Sequence, residues 1–292
     1  MDALMNNEYL ILLVHGIAYL AEAFILFWIG RAAYNLFHPK VDVENELVHV
    51  DNLAFSVSYV GYCIGVLLAI GSAIIGPSQG LWVDLMDIGI FGLLAIFLLN
   101  LSGITNDKLV LSKFNLHKEI IEDQNLGTGV IESANYIASG LIILGAITGH
   151  SMDISGGILS AIVFWAVGQL LMVVVAKVYN AMTPYDVHEH IAKKNVAVGI
   201  GFAGAMLAIA NLIRFGLSGD LHSWTESFTE VGFEVVIGLI FLPIARVLSD
   251  KILLPGRKLT DEIVNQEHPN SGAALIEAFA YVGGSVLITW VI

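Results

Sequence analysis

Charge is the first thing this chain is short of. Asp, Glu, Lys and Arg make up 13% of its 292 residues, about half the share in an average soluble domain. So little charge excludes a large water-facing surface, and 57% hydrophobic residues make lipid the expected main solvent. Basic residues are scarcer still, with 13 Lys and Arg against 26 Asp and Glu and a formal net charge of −13. That balance excludes nucleic acid as a partner, since phosphate contacts need a basic patch. Cysteine is nearly absent. The single Cys63 lies in an apolar stretch, permits no intrachain disulfide and reads as packing. Residues 1–8 hold Asp2 and Glu8 but no Lys or Arg, so the basic start of a cleavable signal peptide is missing and the first apolar helix is expected to be retained. No Ser/His/Asp set and no metal-protease motif occurs, so neither enzymatic activity nor a cofactor is expected.

What the chain has is apolar length. A hydrocarbon core of roughly 30 Å takes about 20 apolar residues in a helix. Eight stretches meet that, starting near Tyr9, Leu53, Val83, Gly127, Ile154, Val196, Phe228 and Ala273. If all eight span, 12 of the 13 basic residues fall in the loops after the odd-numbered spans, and only Arg214 lies opposite. The positive-inside bias then places those loops in the cytoplasm and both termini outside.

The second half also repeats the first, at an offset of 143 to 145 residues. Asp51-Asn52-Leu53-Ala54 aligns with Lys194-Asn195-Val196-Ala197, Gly61 with Gly204, and Asp107-Lys108 with Asp250-Lys251. Asn125 and Gly127, then Glu132 and Tyr136, meet Asn270 and Gly272, then Glu277 and Tyr281, at identical spacing. The expected fold is therefore an all-α, polytopic bundle of eight transmembrane helices in two four-helix repeats, residues 1–150 and 151–292. An even number of spans per copy gives both copies the same orientation, unlike inverted-repeat transporters.

With its runs VHVDNLAFSVSYVGYCIG and TPYDVHEHIAKKNVAVGIGFAG, and the Asn-x-Gly entry with its Glu in each half, the chain resembles the domain-of-unknown-function family 350, the YjfL-like bacterial inner-membrane proteins. Two tandem units cover nearly the whole length. In the first, the Thr183-to-Asp186 type of linker becomes His38-Pro39-Lys40-Val41-Asp42. The resemblance implies a multi-pass protein of the bacterial inner membrane and assigns no activity.

An ionisable residue inside a span costs about 2.5 to 3.5 kcal/mol on insertion scales, which makes it a functional candidate. Glu132 and Glu277 form the repeated pair. The residues three before them are Gly129 and Ala274, not the Ser or Thr of a capping box. Tyr136 and Tyr281, four residues on, share their helix face. At the opposite end Glu226, Glu230 and Glu234 recur every four residues, Asp84 and Asp87 occupy the matching region of the first half, and Arg214 is the candidate counter-ion. A third set, His15, Tyr19 and Glu22, lies on one face of the first span. For the first and third sets a proton or cation path and a satisfied structural network are both open readings; for the outer acids the alternative to an acidic vestibule is that Glu226, Asp84 and Asp87 are interfacial and solvated.

Other signals carry less. Gly199-Ile-Gly201-Phe-Ala-Gly204 has the letters of a dinucleotide fingerprint, but it sits inside a span with no strand before it; Gly61-xxx-Gly65 and Gly145-xxx-Gly149 belong with it as close-packing stretches. His188 and His190 lack further ligands for a metal. The segments 107–124 and 250–267 read as amphipathic elements on the inner interface. Together these features point to a proton- or cation-handling transporter or channel, with Glu132 and Glu277 inside, Glu234, Glu230 and Asp87 outside, Glu22 and His15 between, and Tyr136, Tyr281, Tyr19, Asn125, Asn270 and Arg214 in support. The alternative is a scaffold that recruits a cytoplasmic protein through those amphipathic segments. The expected surroundings are the lipid bilayer and, through glycine-rich faces, a homodimer.

Overall fold

The computed structural model describes residues 2–76, 78–109, 115–148, 154–219 and 223–292, without the side chains of 2–7. Lys113, one of the 12 basic residues on one side, and Gly149 lie outside the described residues. Among the described residues ten α-helices follow in order: α1 Asp2–Phe37, α2 Leu53–Ile74, α3 Leu81–Leu109, α4 Leu126–Thr148, α5 Ile154–Met182, α6 Val187–Ala192, α7 Val196–Leu217, α8 Trp224–Leu248, α9 Leu259–Val264 and α10 Ser271–Val291. All but the short α6 and α9 are long and apolar enough to cross a bilayer, α8 continuing through a π-helical turn to Leu253. Among the described residues there is no strand.

The eight long helices form two rows. α2, α4, α7 and α10 all start at the end where the basic loops gather, here the basic end, and pack in that order, α2 on α4, α4 on α7 and α7 on α10. α1, α3, α5 and α8 run the opposite way in a second row, each lodged against first-row helices. Close approach in the first row needs bare backbone. A Cβ on Gly65 of α2 would stand 2.7 Å from the Tyr136 carbonyl oxygen of α4, and one on Gly199 of α7 would stand 2.7 Å from the carbonyl of Gly127. In lipid, small residues and van der Waals packing hold helices together, since no apolar burial from water is left to gain.

Every first-row helix begins on an asparagine. The Oδ1 atoms of Asn52, Asn125, Asn195 and Asn270 accept from Phe55, Thr128, Val198 and Ala273 backbone N–H groups, three residues into their helices, which is N-capping chemistry. Just before three of them, Asp51, Gln124 and Lys194 take left-handed backbone with φ of 52°, 48° and 60°. The carboxamide also ties the row together. Asn52 Nδ2 donates to the Ile120 carbonyl at 2.9 Å, Asn125 to Ile191 at 2.8 Å and Asn195 to Ile263 at 2.9 Å. Each helix start is thus bonded to the turn before the next helix. The structure thereby splits each four-helix repeat into two similar hairpins, a finer period than the sequence alignment.

These bonds also correct the expectation for the segments at the basic end. Ile120, Leu259 and Ile263 are buried against the bundle, so the turns around them are part of its packing and do not lie free along the interface. Ile252 and Leu253 of the second segment do face outward.

Candidate functional site

At the basic end of the first repeat, α1 to α4 enclose a cavity of about 310 Å³. Glu132, Tyr136, Asp107, Tyr34 and His38 line it, with Lys40 and His117 at the rim. Glu132 is 4% exposed. Its Oε2 accepts a long hydrogen bond of 3.4 Å from Asn135 Nδ2, and among the described residues no Lys or Arg is paired with it. Asp107 Oδ1 has no partner either.

Tyr136 and His38 form the wall. His38 Nδ1 lies 3.1 Å from the Tyr34 carbonyl oxygen, and its Nε2 lies 3.3 Å from Tyr136 Oη. A carbonyl only accepts, so Nδ1 carries the hydrogen in the neutral ring and Nε2 takes the one from Tyr136. His38 follows the last residue of α1, outside the span. Burial holds its pKa below the usual 6.5, against the opposing pull of the Tyr34 carbonyl, because a charged imidazolium is poorly solvated there.

Deeper in the bundle a polar cluster continues from Glu132. Ser139 Oγ accepts from Asn106 Nδ2 at 3.5 Å and from Gln169 Nε2 at 3.4 Å. Asn106, Asn135, Ser139 and Gln169 are all at most 3% exposed. The amide oxygens of Asn106, Asn135 and Gln169 have no hydrogen-bond partner, which in an apolar interior costs about 1 to 3 kcal/mol each. Trp165 Nε1 donates to Ser102 Oγ at 2.7 Å about one turn further along. Beyond it Val66, Ala69, Ile96, Leu99 and Ile143, all buried, fill the space between the helices.

A second cavity, of about 400 Å³, opens past that plug at the opposite end of the same helices. Tyr19, Asp84, Asp87, Ser72 and Ser160 are among its lining residues. Tyr19 donates to Asp84 Oδ2 at 2.5 Å, and His15 Nδ1 is 3.5 Å from the same hydroxyl. On α4, Tyr136 of the first cavity and Ala146 of the second stand ten residues apart, about 15 Å along the helix.

The second repeat has diverged at the matching place. Arg246, at the repeat position of Gly103, donates from Nη1 to Glu277 Oε1 at 2.7 Å, and Tyr281 Oη donates to the same oxygen at 2.8 Å. Arg246 Nη2 reaches Thr260 at 3.2 Å, and its guanidinium stands 5.8 Å from the centre of the Tyr185 ring. Glu277 is fully buried. Buried ion pairs of this kind lose about 3 to 5 kcal/mol when one partner is removed.

A family model, Domain of Unknown Function (DUF350), matches residues 8–147 and again residues 153–292. The chain belongs to the DUF350 family. It is also similar to a UPF0719 transmembrane protein of Aquifex aeolicus (strain VF5), 21% identical over 266 residues that cover 90% of this chain and 95% of the relative. No solved structure matches it. The protein is thus an integral membrane protein built from two DUF350 units, one with an open polar interior and one with an arginine in the corresponding space.

This division corrects several expectations. Glu132 and Glu277 do not form one inner pair, because Arg246 holds Glu277 in the second unit. Tyr281 bonds its glutamate, whereas Tyr136 bonds His38. The outer acids do not converge: Asp87 lines the first unit's cavity, while Glu230 and Glu234 line a separate one of about 440 Å³ beside Phe215 and Gly216. Arg214 bonds Asn211 Oδ1 at 3.2 Å, and among the described residues it pairs with no carboxylate. Glu22 is not joined to Tyr19; its Oε2 has no partner, and Oε1 faces Gly89. Asn125 and Asn270 are helix caps.

His38, Asp107, Asn106, Asn135, Ser139, Gln169 and Arg246 escaped the sequence reading as site residues. Asn106, Asn135 and Gln169 carried a usable signal, being uncharged amides inside apolar spans. Arg246 carried a weaker one, since it counted only as a basic-loop residue.

Proposed function

We propose that this DUF350 protein moves protons or small cations across the bacterial plasma membrane through its first unit, with the basic end in the cytoplasm. One arrangement carries the reading: two cavities enter the same group of helices from opposite ends, with Glu132 lining the first and the unpartnered amide oxygens lying deeper, toward the second. A carboxylate that no Lys or Arg pairs with among the described residues, and three amide oxygens without hydrogen-bond partners, offer a hard-cation or proton site. Val66, Ala69, Ile96, Leu99 and Ile143 form a dry barrier on the far side of that site, which a cycle of access from either end must open. His38 and Tyr136 supply a proton route from the basic end: once Nε2 of His38 is protonated from the cavity, it gives that proton to Tyr136 Oη as the phenol turns and passes its own toward Glu132, which returns both rings to their neutral forms. In the second unit Arg246 neutralises Glu277, so that unit supports the first and does not conduct. The orientation rests on 12 of 13 basic residues falling at one end and the positive-inside bias.

The test is flux in proteoliposomes of the full chain, with an internal pH dye and imposed gradients of pH, Na⁺ or K⁺. Parent protein that dissipates one of these gradients, and Glu132→Gln that does not, is the expected result. A parent indistinguishable from empty liposomes in every gradient overturns the reading. It would leave the scaffold as the better account.

A further inference from the structure

The two repeats show how one DUF350 unit docks on the next, and the same contact is left open at both ends of the chain. Inside the chain, α7 of the second unit lies against α4 of the first, and α5 against α3 and α4. This is a head-to-tail contact, with different faces meeting, and such contacts propagate until a rotation closes them. By repeat position, α10 has the face that α4 turns toward α7, and α2 has the face that α7 turns toward α4.

Matched residues show these outer faces uncovered. A Cβ on Gly127 would stand 3.2 Å from the carbonyl oxygen of Asn195 and 3.5 Å from Val196 Cα at the start of α7, whereas one on its counterpart Gly272 would meet only its own Asn270. Ala134 and Ile142 on α4 are buried, whereas their counterparts Phe279 and Leu287 are 65% and 59% exposed. On the other side Ala210 is buried, and its counterpart Leu67 is 63% exposed. Of the most apolar stretch of each helix, 67% is buried in α4 against 22% in α10, and 39% in α5 against 6% in α1.

Lipid covers apolar faces equally well, so a polar feature decides. Asn125 spans the internal contact by donating to Ile191, which is fully buried. Asn125 also donates to its own Glu119; its counterpart Asn270 is exposed and keeps only the matching bond, to its own Glu262, while the counterpart of Ile191, Val48, is 68% exposed. The internal row uses one amide per helix start as a link. The last such amide has no further turn of its own chain to reach.

We infer that copies of this chain associate head to tail, α10 and α8 of one on α2 and α1 of the next, with Asn270 bonding the turn at Val48 of the neighbouring copy. The row of parallel helices then continues from chain to chain.

Cysteine cross-linking in native membranes tests this. Ser56→Cys and Gly272→Cys replace the counterparts of Gly199 and Gly127, whose backbones touch within the chain, in a Cys63→Ser background. Two differently tagged chains carrying one cysteine each should give a mixed cross-linked dimer on oxidation, and one chain carrying both should give a series of multiples. Native mass spectrometry of the parent from lipid nanodiscs should show more than one chain, and Asn270→Leu should shift the distribution toward single chains. Cross-linking of either single-cysteine chain with itself would indicate a symmetric contact and overturn the inference. So would the absence of a mixed cross-link, whether the parent then proves to be a single lipid-covered chain or an assembly built on another surface.

Discussion

Arg246 bonds Glu277 at 2.7 Å in the second DUF350 unit, where the first unit has Gly103 and leaves Glu132 facing a cavity. A duplicated glutamate thus stands in two electrostatic settings within one chain. One is neutralised by a guanidinium; the other has an amide neighbour and an open approach. The two should respond to mutation in different ways.

Glu277→Gln and Arg246→Gln each leave a buried charge without its partner. Both are expected to lower stability by about 3 to 5 kcal/mol, seen as a drop in the thermal unfolding temperature in detergent. The double variant should recover much of the loss, because no unpaired charge remains. Additive losses would show that the pair is not coupled as the geometry implies.

His38 has a pKa below its unfolded value of 6.5, so the folded protein binds fewer protons there than the unfolded chain. Its contribution is complete above pH 6.5 and is lost as pH falls from 6.5 through the folded-state pKa. Thermal stability should therefore decline on acidification through this window, and His38→Asn should remove that part of the decline. A parent whose stability is flat below pH 6.5 contradicts the assignment.

Asn106→Leu and Gln169→Leu remove amides whose oxygens have no partner. If these side chains served only the fold, apolar replacements would be nearly neutral or stabilising. The expected result is unchanged or raised thermal stability together with loss of flux. Unchanged flux places the ion path elsewhere.

Three of the four caps should rank by their links. Asn52→Ala and Asn125→Ala lose a cap and a bond to the next turn, an expected cost of about 2 to 3 kcal/mol. Asn270→Ala in dispersed single chains loses the cap and should cost about 1 kcal/mol. Equal losses at all three would mean the inter-turn bonds add nothing.

Much of the fold could be read from the sequence because it depends on local quantities. Span length and the 143-to-145-residue repeat survive in the residue order, and Asn52, Asn125, Asn195 and Asn270 sit where helix starts need caps. The site was less legible because its members converge from different helices. Glu132 stood out as a charge in a span, but its distinction from Glu277 depends on Arg246, 31 residues before Glu277 in sequence. His38, Asp107 and Gln169 come from separate elements, and only packing brings them to one interior. The grouping of Asp87 with Glu234 failed for the same reason: helical spacing places residues on a face but does not say which neighbour covers it.

The most direct measurement compares Glu132→Gln with Glu277→Gln in the same proteoliposome flux assay, at matched incorporation of folded protein. The account predicts that Glu132→Gln abolishes the parent's flux, while Glu277→Gln, once corrected for its lower yield of folded protein, retains most of it. Equal loss in both, or full activity in Glu132→Gln, would contradict it.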